Sequence, residues 1–142
     1  MDYGKKTKEE LIADLEMLHR QLEQSGKAYY ALTHFNANED GIVFCAMDGT
    51  IKDANPAYLN MLGYTLDEAQ SLSYQQITPR KWWSMESELR ESQVMKRGFC
   101  DVYEKEYIRK DGTVIPISTQ AWLVRDEGGR PWRLLGFVRE KK

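Results

Sequence analysis

Strand-forming runs stand at both ends of residues 40–140, and helix signals fill the stretch between them. Strands grouped that way do not alternate with helices as parallel crossover units do. The arrangement therefore predicts an α+β domain, a five-stranded antiparallel sheet with helices on one face. Residues 42–47 form the first strand by their β-branched and aromatic content, Asp48-Gly49 supplies a two-residue hairpin turn, and residues 50–54 return. Asn55-Pro56 opens a short helix, with Asn as cap and Pro at a position whose N–H has no helical partner, and Gly63 closes it. Thr65 and Glu68 are spaced as a capping box for a second short helix. Thr78-Pro79 opens a longer helix that ends near Arg97 before Gly98, with Trp82, Met85 and Leu89 on one face. Residues 99–109, 113–124 and 132–139 make the last three strands, separated by a tight turn at Asp111-Gly112 and a looser one over 126–131.

The first 33 residues have another period. Leu11, Leu15, Leu18, Leu22, Ser25, Tyr29 and Leu32 recur alternately four and three apart, with Glu, Lys, Gln and Arg between them. That is the seam of a left-handed coiled coil, and it predicts a helix that dimerises. The other reading is an amphipathic helix docked on its own domain, since a lone helix of this length is marginal in water. The chain therefore divides into a helix over 1–33 and a globular domain over 34–142.

Composition sets bounds. A chain of 142 residues, 42% apolar and 30% charged, has enough core for one domain without a disulfide or metal staple. A net charge of −2 argues against a broad nucleic-acid footprint. Cys45 and Cys100 sit far apart in apolar runs and read as structural free thiols. No apolar stretch approaches the length of a membrane span, which predicts a cytoplasmic domain with no direct membrane contact, whether or not its parent protein is anchored. Nothing assembles a nucleophile, a base and an orienting group, and the glycines are turn glycines rather than a phosphate loop, so no enzyme is expected. No Cys, His, Asp or Glu residues stand at a metal-ligand spacing, and His19 and His34 read as structural or solvated.

Two segments carry a family likeness. Residues 40–44 (Asp-Gly-Ile-Val-Phe), 55–59 (Asn-Pro-Ala-Tyr-Leu) and 61–65 (Met-Leu-Gly-Tyr-Thr) resemble the N-terminal signature of the PAS family. Residues 107–113 (Tyr-Ile-Arg-Lys-Asp-Gly-Thr) and 136–140 (Gly-Phe-Val-Arg-Glu) resemble its C-terminal strand motif. The likeness spans about residues 35–140 and implies a PAS sheet preceded by a helix. It also implies a sensor that binds a small-molecule ligand or cofactor and signals through dimeric helices to an output domain, a histidine kinase or a diguanylate cyclase. The other reading is a ligand-free dimerisation module. In the family the last strand runs on through an Asp-Ile-Thr-like segment into a linker helix. Here Glu140 takes the Asp position and Lys141-Lys142 follow, so the expectation is a sensor cut from a larger protein or acting in trans.

Strand alternation sorts the side chains. By the resemblance, Ile115, Ile117, Thr119, Ala121 and Leu123 face the helices with Leu134, Gly136 and Val138. The small Thr119, Ala121 and Gly136 leave room for a ligand, because a void would cost stability. Val43, Cys45, Tyr58, Met61, Leu62, Met85, Leu89, Ile117 and Leu134 complete the expected pocket, Tyr58 as a core aromatic or as a ligand donor. Trp122, Val124, Leu135 and Phe137 face the other way, an apolar patch that the N-terminal helix or a second subunit must cover. Leu11, Leu15, Leu18, Leu22 and Tyr29, with Trp122, Leu135 and Phe137, are thus the expected dimer contacts, and Trp82, Trp83, Trp122 and Trp132 read as core and interface residues. Glu104-Lys105-Glu106 reads as a charged alternating strand or a salt-bridge latch. Haem relatives carry a ligating His on the long helix, where this chain has Trp83, and a signalling Arg where it has Tyr103. Flavin relatives that form a thiol adduct carry a Cys in a segment that here reads Ser73, Tyr74, Gln75, Gln76, Ile77. Both groups are disfavoured, leaving a non-covalent flavin or another small organic ligand open.

Overall fold

The last strand of the chain is the central strand of the sheet. The computed structural model describes residues 34–141, so Leu11, Leu15, Leu18, His19, Leu22 and Tyr29 lie outside the described residues. Strands β1 (Gly41–Ala46), β2 (Ile51–Ala54), β3 (Tyr103–Ile108), β4 (Val114–Arg125) and β5 (Pro131–Glu140) lie in the order β2-β1-β5-β4-β3. Every neighbouring pair is antiparallel. Between β2 and β3 run helices α1 (Pro56–Leu62) and α2 (Leu66–Ala69), a 3₁₀ turn (Arg80–Trp82), helix α3 (Trp83–Leu89), a π-helical turn (Arg90–Val94) and a short α4 (Met95–Arg97).

The three hairpins share one device. In the first, the Ala46 amide donates to the Thr50 carbonyl at 2.8 Å, so the loop holds three residues rather than the expected two. Gly49 closes it at φ 97°, a left-handed conformation that suits glycine. The Asp48 carboxylate accepts the Thr50 amide at 2.9 Å, and Asp111 does the same for Thr113 at 2.9 Å beside Gly112. In the third, Asp126 accepts from Gly128 and Arg130 beside Gly129. An aspartate that bonds the amide two residues on fixes each turn before any tertiary contact forms.

The junction between sheet and helices is held by Asn55, which has no exposed surface. Its Oδ1 accepts the Ile42 amide at 2.8 Å and the Tyr58 amide at 3.0 Å. Its Nδ2 donates to the carbonyls of Phe35 and Asp40 at 3.0 and 2.9 Å. One amide thus caps α1 and locks the strand that leads into the sheet. Thr65 and Glu68 form the capping box of α2. Thr78 does not cap the long helix; Pro79 stands at that position without a side-chain bond, and the Thr78 hydroxyl donates instead to the Tyr74 carbonyl at 2.7 Å.

The sheet separates two apolar clusters. On the helix side, Ile115, Ile117, Leu123, Leu134 and Val138 are buried against Tyr58, Leu62, Ile77 and Val94. On the other side, Ile42, Phe44, Trp122, Val124 and Leu135 are buried together, with Phe35, Phe99, Trp132 and Phe137 packed on them. The outward-facing set is therefore not bare, with Leu135 at 0% and Trp122 at 9% exposure. Phe99 stacks on Trp122 at a ring separation of 4.9 Å, which accounts for part of that cover.

Asn55→Ala removes the cap of α1 and leaves buried amides and carbonyls without partners. The expected loss is about 2–4 kcal/mol of unfolding free energy, read as a drop in the urea midpoint at unchanged slope. A midpoint equal to the wild type would show that the junction is held by something else.

Candidate ligand cavity

A cavity of about 60 Å³ lies between the inner face of the sheet and the winding from α3 to the π-helical turn. Its floor is a cross-strand row in which Val43 of β1 faces Gly136 of β5, and Gly136 faces Ala121 of β4. Gly136 has no side chain and Ala121 only a methyl, so the row leaves the space that larger residues would fill. Leu89, Arg90 and Val94 form the opposite wall. Arg90 reaches across to donate to the Met47 carbonyl, tying the start of the π-helical turn to the first hairpin. Such turns interrupt the regular helix ladder and occur frequently at functional sites.

The charged groups of the wall are the part that sequence reading missed. Period-two alternation turns Lys105 inward between Tyr103 and Tyr107, while Glu104 pairs with Lys141 at 2.7 Å and Glu106 with Lys81 at 3.1 Å on the other side. Lys105 Nζ meets Glu86 Oε2 at 2.8 Å, the two side chains being 2% and 7% exposed. It also donates to Thr78 Oγ1 at 3.0 Å and sits 4.5 Å from the centre of the Tyr107 ring. The Tyr103 hydroxyl donates to the same Glu86 oxygen at 2.6 Å. The other oxygen, Oε1, is buried with no hydrogen-bond partner among the described residues. Burial pulls the Lys105 ammonium below its usual range, and Glu86 opposes that pull. Burial also pushes the Cys45 thiol up to about 12, against the Lys105 charge, which keeps it protonated and poorly nucleophilic.

The expected pocket residues divide. Val43, Cys45, Leu89, Thr119, Ala121, Leu134 and Gly136 line the cavity. Tyr58 and Leu62 pack in the core beneath α1, Tyr58 donating its hydroxyl to that of Tyr107 at 3.3 Å. Ile117 is wholly buried further along β4, and Met61 is half-buried on α1. Met85 is half-buried, and the next residue, Glu86, takes the inward position instead. A glutamate on a helix reads as solvated, so nothing in the helix pattern singled it out. The signal was on β3, where a lysine stands between two tyrosines on one face and needs a buried anion.

Of the tryptophans, none lines the cavity. Trp82 Nε1 donates to Glu106 and Trp83 Nε1 to the Thr78 carbonyl, at 3.0 and 2.9 Å. The space falls well below the roughly 300 Å³ of an ordinary cofactor pocket, so a flavin fits only if the α3 wall moves. Trp83, at the place of the haem-ligating histidine, is 39% exposed and points its ring nitrogen at backbone.

Removing one member of the buried pair strands the other. Lys105→Met is expected to cost about 3–5 kcal/mol, and Glu86→Leu/Lys105→Met clearly less, both from urea unfolding. A double variant as unstable as the single one would show that the pair is not the source of the loss.

Comparison with known proteins places these features. Residues 39–140 match a family described as PAS domain. A PAS domain from Colwellia psychrerythraea superposes with a TM-score of 0.71 at 20% identity, covering 80% of this chain and 96% of that one. A domain of a sensory box sensor histidine kinase/response regulator from Geobacter sulfurreducens gives 0.60 at 25% identity, over 85% and 98%. A PAS domain from a two-component sensor histidine kinase gives 0.63 at 16% identity, over 82% and 100%. No curated protein matches the chain.

Proposed function

The chain belongs to the PAS domain family, whose members are sensory signalling modules, and we propose that its signal is a small molecule held in the cavity over β4 and β5. The observation that carries this reading is the cavity itself, floored by Ala121 and Gly136 and walled by a buried ion pair beside a helix that has lost its regular ladder. Ligand that favours one seating of this wall shifts the protein toward it by its difference in affinity for the two. β5 carries both faces of the sheet, Leu134 and Val138 toward the cavity and Leu135 toward the outer cluster. At its end Glu140 pairs with Arg109 at 3.0 Å, and Arg109 donates to the Met61 carbonyl at 3.0 Å. A displaced wall therefore has a route through β5 to whatever follows Glu140. The output is a histidine kinase or a diguanylate cyclase, engaged through a homodimer. That dimer is expected on Leu11, Leu15, Leu18, Leu22 and Tyr29, with Phe137 on the outer face, where Trp122 and Leu135 are already covered within one chain. Among the described residues, no helix is long and apolar enough to cross a membrane.

A second reading, a dimerisation module that needs no ligand, is supported by the half-buried Trp132 and Phe137 at the margin of the outer cluster.

Ala121→Trp places an indole in the cavity. Native mass spectrometry with an absorption spectrum is expected to show an added mass on the wild type, released on denaturation and missing from a folded Ala121→Trp. A folded variant that keeps the mass would move the site elsewhere, and a bare wild-type dimer would favour the second reading. Leu18→Asp is expected to yield monomers by light scattering; a variant that stays dimeric would transfer the interface to the sheet face around Trp122.

A further inference from the structure

Resting on the ligand-binding reading above, we infer that the ligand is a short-chain carboxylate whose anionic end pairs with the guanidinium of Arg90. The formal charges that line the cavity are those of Glu86, Arg90 and Lys105. Glu86 is matched within the protein, since its Oε2 receives both Lys105 and the Tyr103 hydroxyl. The other ionisable groups on the wall are the Cys45 and Cys100 thiols and the Tyr74, Tyr103 and Tyr107 hydroxyls, all held neutral by burial. Arg90 pairs with no carboxylate among the described residues. The wall as a whole is therefore positive, and the excess charge is that of Arg90.

The guanidinium is anchored in place. It donates to the Met47 carbonyl and lies against the Tyr74 hydroxyl. Its five N–H groups form a planar fork that matches a carboxylate, so donors remain after those contacts. Arg90 is half-buried on the cavity wall, and none of its nitrogens is sealed from solvent without a partner. The hydroxyls of Thr119 and Tyr107 on the same wall donate as well as accept, so they fit an anion without selecting one. A cation would meet the charges of both Arg90 and Lys105. Size sets the rest of the class, since about 60 Å³ admits roughly four or five water-sized volumes, the bulk of a carboxylate with a tail of about two carbons. Val43, Ala121 and Leu134 give that tail apolar neighbours. Arg90 also ties the π-helical turn to the first hairpin, so a carboxylate that takes up its donors competes with Met47 for the group that holds the wall.

Propionate and propionamide test this directly, being matched in size and shape and differing in charge, with n-propylammonium as the cationic probe. Each is titrated into the ¹⁵N-labelled full chain at constant ionic strength. Propionate is expected to shift the amides of Arg90, Ala121 and Gly136 and to bind at least about tenfold more tightly than propionamide, and more tightly still than n-propylammonium. Propionamide or n-propylammonium binding as well as propionate would overturn the inference and leave the ligand-binding reading standing. No shift at those amides with any of the three would mean that the cavity takes water only and would overturn both. Arg90→Gln keeps a donor for the Met47 carbonyl and removes the charge, and in it the preference for propionate is expected to fall to within about twofold. A folded Arg90→Gln that keeps the preference would remove Arg90 from the account and overturn the inference. The wild-type titration decides the charge of the ligand even if the variant does not fold.

Discussion

An ammonium and a carboxylate taken out of water must be satisfied by the protein around them, and that constraint organises the half of the domain that holds the cavity. Lys105 comes from the edge strand β3 and Glu86 from α3, so their 2.8 Å contact fixes where the helix sits on the sheet. Thr78 is drawn into the same network, which is why its hydroxyl is not free to cap the helix that follows. Tyr103 and Tyr107 flank the lysine, the first donating its hydroxyl to the same carboxylate and the second presenting its ring to the ammonium. A buried pair of this kind is weak evidence for stability against an apolar alternative. Its structural effect is selection, because any other register of α3 would leave both charges alone.

Local chemistry made most of the fold legible. The Asp-Gly-Thr turns at 48–50 and 111–113, the Asn55-Pro56 helix start and the Thr65/Glu68 box each carry their own hydrogen-bond partners within a few residues. Apart from the length of the first loop, they fold as read because nothing distant overrides them. The alternation of β4 was legible for the same reason, since a strand with small and apolar residues at odd positions and Trp122 and Val124 at even ones has only one way to divide its faces. The first hairpin differs by one loop residue, because a left-handed Gly49 can close a three-residue loop as readily as a two-residue one.

The site was less legible, and the failures have one origin. Amphipathic logic puts Met85 on the inward face, and the structure leaves it half-buried while Glu86 turns inward, because Lys105, far away in sequence, requires an anion there. The wall of the cavity is thus specified by a long-range pair whose members each look solvated in their own segment. Tyr58, Leu62 and Ile117 were placed on the correct face, yet face alone does not say how far along the sheet the space opens. That depends on the cross-strand register, which brings Gly136 opposite both Val43 and Ala121.

That row has a consequence for how such a cavity changes over generations. A side chain begun at Gly136 would place its first carbon 3.0 Å from Val43 Cγ1, against a β-branched neighbour with little rotamer freedom. A side chain at position 136 therefore requires Val43 to give way, whereas Ala121, half-buried at the edge of the same row, can lengthen one carbon at a time. A lineage adapting this domain to a ligand of another size has its shortest path through a single codon on β4.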